Sequence, residues 1–551
     1  MTRTDKQTAF PTLTSDQIDQ LRPHGVEGAI EAGDVLFEAG ERNFGFFVVL
    51  EGKIEIFNPS TETPTQVAVH EPGEFTGDVD MVGGRSSLVT AKGKTSGRVL
   101  RIPPDRLKQV IAKIPDLSDV ILQAFLMRRA LLMDQGQTGL QIVGSRFSGA
   151  THHLKGFAER NDLPYTWLDL EEDEEAETLL QQLGVSTSET PVVVVRGDQV
   201  LRAPSTTDVA RHMGLGSCTL PTTVHDVVVI GGGPAGLAAS VYGASEGLST
   251  LCLDAEGIGG QAAWSSKIEN YLGFPSGISG AKLASRARLQ AEKFGAEVAA
   301  PRRATGIGLE DGYYAVHLEG GDHVLGRAVV IATGANYRKL SLDRRPEFDG
   351  AGVYYGATRM EAQLCQNEEI ALVGGGNSAG QAALFLSEAA SVVHMLIRGG
   401  DLGKSMSRYL VDRIRQTNAV QVHRHTEAVS LRGDDRLDAV EVEHNKTGDR
   451  QTIDTPALFS FIGAEPCTEW LNEDIATNEH GFVRTGSDLQ RTNSEEMGPA
   501  GSRDPFFLET SEPGIFAVGD VRASSIKRVA SAVGEGSMVI KLVHQFLNGS
   551  R

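Results

Sequence analysis

The run VVVIGGGPAGLAAS, residues 227–240, decides the fold of the C-terminal half. Its β-branched start reads as a buried parallel strand. Gly231, Gly233 and Gly236 then fall at GxGxxG spacing ahead of a helical pattern. The first glycine permits a tight turn, the second lets a pyrophosphate approach the backbone, and the third lets the helix lie close on the strand. The helix N-terminus, opening at Pro234 and Ala235, turns free N–H groups and a positive dipole toward phosphates. A second strand, STLCLD (249–254), ends in Asp254, whose carboxylate suits a ribose diol.

The design recurs in EIALVGGGNSAGQAALFLS (369–387). Gly374, Gly376 and Ala379 hold the three small positions, with Asn377 and Ser378 between them. The next strand, SVVHMLIR (391–398), ends in Arg398 where an acid would select NADH. A cation there, with Lys404 nearby, suits a 2′-phosphate, so NADPH is expected ahead of NADH. Cys252 and His394 lie inside strands and read as core. Two such cradles in series predict a flavin and a nicotinamide handled by one chain.

Two further stretches complete the frame. AVVIATGA (328–335) is a strand and turn carrying Thr333 and Gly334. PGIFAVGDV (513–521) is a strand running to Gly519 and Asp520, placed for a flavin's ribityl or pyrophosphate portion. In this order the four motifs resemble the low-molecular-weight thioredoxin reductase family, over roughly residues 224–551. The resemblance implies an FAD domain split into 224–344 and 457–551, an NADPH domain at 350–456 inserted in it, and a homodimer. It also implies flavin contacts from Gly260, Gln261 and Asn270 in GIGGQAAWSSKIENYLGFP (257–275), and from the helix in IKRVASAVGEGSMV (526–539). There Arg528 and Ala530 keep the family types, while Val529 replaces the usual glutamine.

One departure matters most. YYGATRMEAQLC (354–365) lies where the family keeps two cysteines separated by two residues, and here Gly356 and Arg359 hold those places. Neither supplies a thiolate, so an internal pair cannot relay electrons to thioredoxin. Cys365 is the nearest thiol and reads as a buried or semi-exposed free cysteine, with pairing to Cys218 as the alternative. Hydride transfer from NADPH to flavin needs neither cysteine.

Residues 138–214 form a separate unit. A strand (GLQIVGS, 139–145), a helix, a second strand, and Thr190–Pro191 before a valine strand (ETPVVVV, 189–195) resemble the thioredoxin/glutaredoxin fold. In that fold the proline is cis. The thiol motif is replaced by SRFSGA (145–150), so a docking or spacer role is expected. EEDEEAE (171–177) reads as a solvated acidic loop, and the adjacent His152 and His153 as surface residues.

Residues 1–135 carry short strands and glycine turns followed by helices, a β-roll that resembles the cyclic nucleotide-binding domain of the catabolite-activator type. Its pocket stretch is GEFTGDVDMVGGRSS (73–87). Gly77 and Asp78 match the positions that bind the ribose, and Arg85, Ser86 and Ser87 those that grip the cyclic phosphate of cyclic AMP or cyclic GMP. Asp78 is one methylene shorter than the family's glutamate. FLMRRALLM (125–133) reads as an amphipathic helix.

The fold class is therefore multidomain: an N-terminal β-roll plus helices, a middle α/β thioredoxin-like domain, and a C-terminal pair of Rossmann-like, three-layer α/β domains. The size fits, since 551 residues exceed one hydrophobic core. The net charge of −20 disfavours nucleic acid and anionic membrane as partners. Four cysteines without a CxxC, no signal peptide and no membrane-length apolar run predict a cytoplasmic protein without a metal site.

The leading expectation is an FAD enzyme that oxidises NADPH and reduces an external acceptor, a small redox protein among the candidates, under cyclic-nucleotide control. Two alternatives stand beside it: a redox or cyclic-nucleotide sensor with little turnover, and disulfide reduction through Cys365 with another thiol.

Overall fold

The structure is a computed structural model and describes residues 7–58, 65–135, 140–146, 148–186, 189–195, 199–215, 223–265, 267–349, 351–357, 359–434, 436–490 and 503–549. Cys218 lies outside these residues.

At the N-terminus, Val26–Ile30, Val35–Phe37, Phe46–Asn58, Thr65–His70 and Thr90–Ile102 form one antiparallel sheet. Its core is aromatic, with Phe46, Phe75 and Phe125 fully buried against one another. The helices Pro104–Lys113 and Pro115–Gln135 follow. The second helix corrects the amphipathic reading of 125–133. Arg128 and Arg129 are both buried, because each finds partners in the glycine-rich pocket loop.

The middle unit is a four-stranded sheet in the order Thr166–Leu168, Leu140–Val143, Val192–Val195, Gln199–Arg202. The first pair is parallel and the other two antiparallel. Thr190–Pro191 is cis. The acidic run does not remain a loop. It enters the helix Glu174–Gln182, where Ala176 and Leu180 bury a face on the sheet.

The parallel strand His225–Ile230 centres a seven-stranded sheet between Thr250–Leu253 and His323–Ile331. Ile515–Ala517 joins the far edge of His323–Ile331 after a long excursion of the chain. That excursion builds a second, five-stranded parallel sheet in the order 353–354, 458–460, 369–373, 392–397, 420–424. Leu458–Ser460 is fully buried and pairs with two of its strands, so it belongs to this inserted sheet. The sequence boundary at 456/457 therefore falls ahead of a strand that the inserted sheet needs. Ala335–Tyr337 and Ala464–Pro466 pair where the chain crosses out and back. No helix among the described residues is long and apolar enough to cross a membrane.

Candidate active site

The first glycine loop has the geometry its spacing requires. Gly231 has φ 114°, and a Cβ there would lie 2.3 Å from the carbonyl oxygen of Ala332. A Cβ on Gly236 would lie 1.8 Å from the Gly231 oxygen, so only glycine lets the helix Pro234–Ser245 seat on its strand. Gly233 differs. The nearest atom to a Cβ there is the Gly260 Cα, 3.9 Å away. The cradle is thus tight where helix meets strand and open where a pyrophosphate would lie. Gly233 caps this helix without a side-chain hydrogen bond, so the first amides are not claimed by a cap.

Other predicted flavin residues converge on this loop. Gly260 faces Gly233, and Gly519, with φ 74°, packs on Ala235. The Thr333 hydroxyl donates to the Cys467 carbonyl at 2.8 Å, beside Gly334. Gln261 reaches the Asn336 side chain at 3.4 Å. Asp520 is drawn in by burial, which raises its carboxyl above the usual range. Asn270, Arg528 and Ala530 are exposed, and Val529 opens the C-terminal helix.

Asp254 differs from its sequence reading. Its carboxylate accepts amide hydrogens from Gly232 (2.7 Å), Glu256 (3.0 Å) and Gly257 (2.9 Å). Those bonds tie the glycine loop to the following turn and fill both acceptor sites of Oδ1, so that only Oδ2, which takes a single amide, keeps a site for a ribose hydroxyl.

The second cradle repeats the pattern. Gly374 has φ 145°, and a Cβ there would lie 2.6 Å from the Phe461 oxygen and 3.0 Å from the Ala379 Cβ. A Cβ on Gly376 would meet nothing within 4 Å. Asn377 accepts the Ser407 amide at 2.7 Å, which holds the helix start to the next loop. Arg398 is exposed just past the strand Val392–Ile397, and Lys404 ends a short turn at Leu402–Lys404. Arg424, whose register partner is Ile397, is also exposed at this edge, a cation the sequence reading missed. His394 is buried and bonded to His423 (3.0 Å) and Glu369 (2.9 Å).

Between the flavin-side loop and the helix of the second cradle lies a cavity of about 110 Å³, walled by Trp264, Tyr337, Phe461 and Gly356, with Lys267 and Arg413 among its polar lining. A Cβ on Gly356 would come no closer than 3.8 Å to Trp264, so this position is open. Arg359 begins the helix Arg359–Leu364. The middle unit also reaches this place. The Trp264 ring lies against Gly156, the Arg160 guanidinium stands 5.0 Å from that ring, and His152 packs edge-on against Tyr354 at 6.0 Å. His152 is therefore not the surface residue its sequence suggested, and burial pushes its imidazole below the ordinary value. His152, whose ring also bonds the Arg146 carbonyl at 2.7 Å, thus brings the start of the middle unit's first helix up to Tyr354.

The thiols that are described are poorly placed for chemistry. Cys252 and Cys365 are buried, and burial pushes each up to about 12. Cys467 is half-buried against the Thr333–Gly334 turn and is pushed up to about 11 by burial. A protonated thiol is a weak nucleophile.

In the N-terminal pocket, all five predicted residues already have partners within the chain. The Gly77 carbonyl accepts from Arg128 at 2.8 Å. Asp78 caps the short helix Val79–Gly83 and pairs with Arg129 at 3.0 Å. Burial, with Asp80 beside it, pushes the Asp78 carboxyl up to about 6. Arg85 pairs with Asp80 at 2.7 Å and donates to the Asn161 carbonyl at 2.9 Å. Ser86 accepts from Arg42 at 3.4 Å, and Ser87 donates to the Val89 carbonyl at 2.7 Å. Asp78 thus does not stand free for a ribose.

Two glycine cradles, each on the parallel strands of its own sheet and one sheet inserted in the chain of the other, define a flavin- and pyridine-nucleotide-dependent oxidoreductase. The profile of the pyridine nucleotide-disulphide oxidoreductase family matches residues 225–536, and that of the cyclic nucleotide-binding domain matches residues 28–114. A thioredoxin reductase of Treponema pallidum is 30% identical over 326 residues, which is 59% of this chain and 98% of the relative. The 34.2 kDa protein in the rubredoxin operon of Clostridium pasteurianum is 29% identical over 324 residues, 59% of this chain and 97% of its own. The crystal structure of Lactococcus lactis thioredoxin reductase in its FR conformation covers 59% of this chain and 99% of its own, at 30% identity and a TM-score of 0.52. The chain belongs to the pyridine nucleotide-disulphide oxidoreductase family, and its FAD/NADPH part is thioredoxin reductase-like with a cyclic nucleotide-binding domain ahead of it. It is an FAD-dependent oxidoreductase, and the cofactors of this thioredoxin reductase-like group are FAD and NADPH.

Proposed function

We propose that this enzyme takes hydride from NADPH onto FAD and reduces an external acceptor directly, without an internal disulfide. The observation that carries this reading is Gly356, an open position on the cavity wall beside Trp264. Where the family's relay thiol would be, there is room and no sulfur. When bound, FAD supplies the redox chemistry. The residues of the chain have other tasks. The amides after Gly233 and Gly376 hold phosphates, and the Gly519–Asp520 turn closes over the first cradle. Trp264, Tyr337 and Phe461 wall the cavity against water, which strengthens the electrostatic contacts made inside it. In this reading Arg398 and Lys404 select NADPH, and the N-terminal domain binds a cyclic nucleotide.

The test is an anaerobic titration with NADPH followed by turnover with a quinone, a one-electron dye and thioredoxin. NADPH bleaches the flavin, quinone or dye turns over, and thioredoxin is not reduced. The double variant Cys365→Ser/Cys467→Ser keeps at least half of that turnover. Abolished turnover with intact FAD content would show that a thiol relay exists after all.

Arg398→Ala should raise the KM for NADPH about tenfold, the loss expected for one exposed charge-assisted phosphate contact, and leave kcat near its starting value. The KM for NADH should hardly move. Equal changes with both nucleotides would remove Arg398 from 2′-phosphate recognition.

A further inference from the structure

Three modules meet at one buried ionic junction. Asp80 is 3% exposed and sits between Arg85, at 2.7 Å, and Arg129. Arg128, also buried, donates to the carbonyls of Ala9 (2.7 Å) and Gly77 (2.8 Å), and no carboxylate among the described residues pairs with it. Three guanidinium nitrogens here are buried without a hydrogen-bond partner: Nε of Arg85, Nη2 of Arg128 and Nε of Arg129. Unpaired buried donors are costly, and an anion is the group that would satisfy them.

The junction continues into the flavin domain. Arg85 donates to the Asn161 carbonyl at 2.9 Å and Arg129 to the Asp162 carbonyl at 3.2 Å. The Asp162 carboxylate accepts from Ser285 at 2.5 Å and faces Arg288 at 3.5 Å. Arg288 pairs with Glu292 at 2.9 Å, and a Cβ on Gly83 would lie 2.8 Å from that same carboxylate. Ser285, Arg288 and Glu292 stand on one helix, Gly280–Lys293. Its other end is seated on the flavin-side loop. The Gly280 amide donates to Ser265, and a Cβ on Gly280 would lie 1.7 Å from the Ala262 oxygen.

We infer that Asp80 is an internal stand-in for the phosphate of a cyclic nucleotide, and that an arriving phosphate takes Arg85 from Asp80 and so signals through Asp162 and Arg288 to the flavin-side loop. This rests on the reading that the N-terminal domain binds a cyclic nucleotide. The bistable element is the Arg85 guanidinium, which has one internal anion and, with ligand, one external anion to choose between. A ligand shifts such an equilibrium only through its differential affinity for the two states. Closing the latch therefore weakens nucleotide binding, and the flavin loop feels the exchange by linkage.

The test uses the full-length, FAD-loaded protein. Cyclic AMP and cyclic GMP are titrated calorimetrically, with inorganic phosphate as the control for a non-specific anion. Hydrogen exchange of residues 280–293 is followed with and without nucleotide. Asp80→Asn should bind one cyclic nucleotide at least tenfold tighter than the wild type, and Arg85→Gln at least tenfold weaker. Nucleotide should change exchange in 280–293 at least twofold in the wild type. Arg288→Gln should bind nucleotide yet lose that response. Should Asp80→Asn fail to fold or to hold FAD, Arg288→Gln decides alone, because it leaves the Arg85–Asp80 pair intact.

If Arg85→Gln loses binding but Asp80→Asn does not gain it, the nucleotide site stands and the latch falls. If the nucleotide binds but 280–293 does not respond, the coupling falls. If neither nucleotide outcompetes phosphate in wild type or Asp80→Asn, the nucleotide reading itself fails and takes the latch with it.

Discussion

Gly233→Ala should be as stable as the wild-type apoprotein and lose FAD, whereas Gly236→Ala should lose stability as well as FAD. The two glycines sit three residues apart in one loop, and they are constrained by different neighbours. At Gly236 an added methyl would stand 1.8 Å from the Gly231 carbonyl oxygen and 3.2 Å from Val229. The carbonyl is backbone and cannot turn aside as a flexible side chain could, so the helix Pro234–Ser245 must lift from its strand. Lifting it disturbs a close seam, because a Cβ on Gly536 of the C-terminal helix would lie 2.1 Å from the Ala235 oxygen. Overpacking of this kind costs about 1–3 kcal/mol, and more where backbone must move. At Gly233 the nearest protein atom is 3.9 Å away and φ is −74°, which any residue adopts. The methyl there meets only the space a pyrophosphate needs. Thermal unfolding of the two apoproteins should therefore separate them, with Gly233→Ala within about 0.5 kcal/mol of wild type. FAD content on purification should fall at least tenfold in both. A Gly233→Ala protein that keeps its flavin would remove the pyrophosphate from this loop.

The glycine loops could be read from sequence because their constraints are local. Turn, close approach and helix seating act within a dozen residues, and each leaves only glycine or alanine as an answer. The missing thiols at 356 and 359 could be read for the same reason: a residue either has sulfur or does not. What could not be read depends on contacts distant in the chain. Arg128 and Arg129 interrupt an apolar helix and resemble a solvent face, and only the pocket loop 77–80 packed against them makes them buried anchors. Two adjacent arginines within an otherwise apolar run were the available signal. Asp80 carried no motif at all, being a lone acid two residues past Asp78. Asp254 stood at the right strand end, but its bonds to Gly232, Glu256 and Gly257 depend on how the next turn folds back. His152 reads as a surface residue because it and His153 are adjacent, point apart on a helix and lack metal-ligand spacing, whereas the ring it meets, Tyr354, belongs to another module.

The C-terminal helix holds the second large effect. Glu535 should be among the most damaging single substitutions in the flavin domain, although it has no place in the glycine motifs. It is 8% exposed and faces Arg522, itself 7% exposed, at 2.5 Å. Its other oxygen accepts the Gly519 amide at 2.7 Å. One carboxylate thus anchors a buried guanidinium and the turn that brings Gly519 and Asp520 to the first cradle. In Glu535→Ala, Arg522 keeps only weak neutral acceptors, Ala523 at 3.2 Å and Thr485 at 3.5 Å, and the Gly519 amide loses its partner. Leaving one charge of a buried pair uncompensated costs about 3–5 kcal/mol. The turn should loosen first, so flavin release on heating should precede unfolding in this variant and coincide with it in the wild type. Glu535→Gln keeps an acceptor for Gly519 and loses only the charge, so its loss should be smaller. The double variant Arg522→Met/Glu535→Leu should be milder than Glu535→Ala alone, because no buried charge remains without a partner. A Glu535→Ala protein as stable as the double variant, with flavin retained to the unfolding midpoint, would mean that Arg522 finds water in its place and that the turn is held by packing instead.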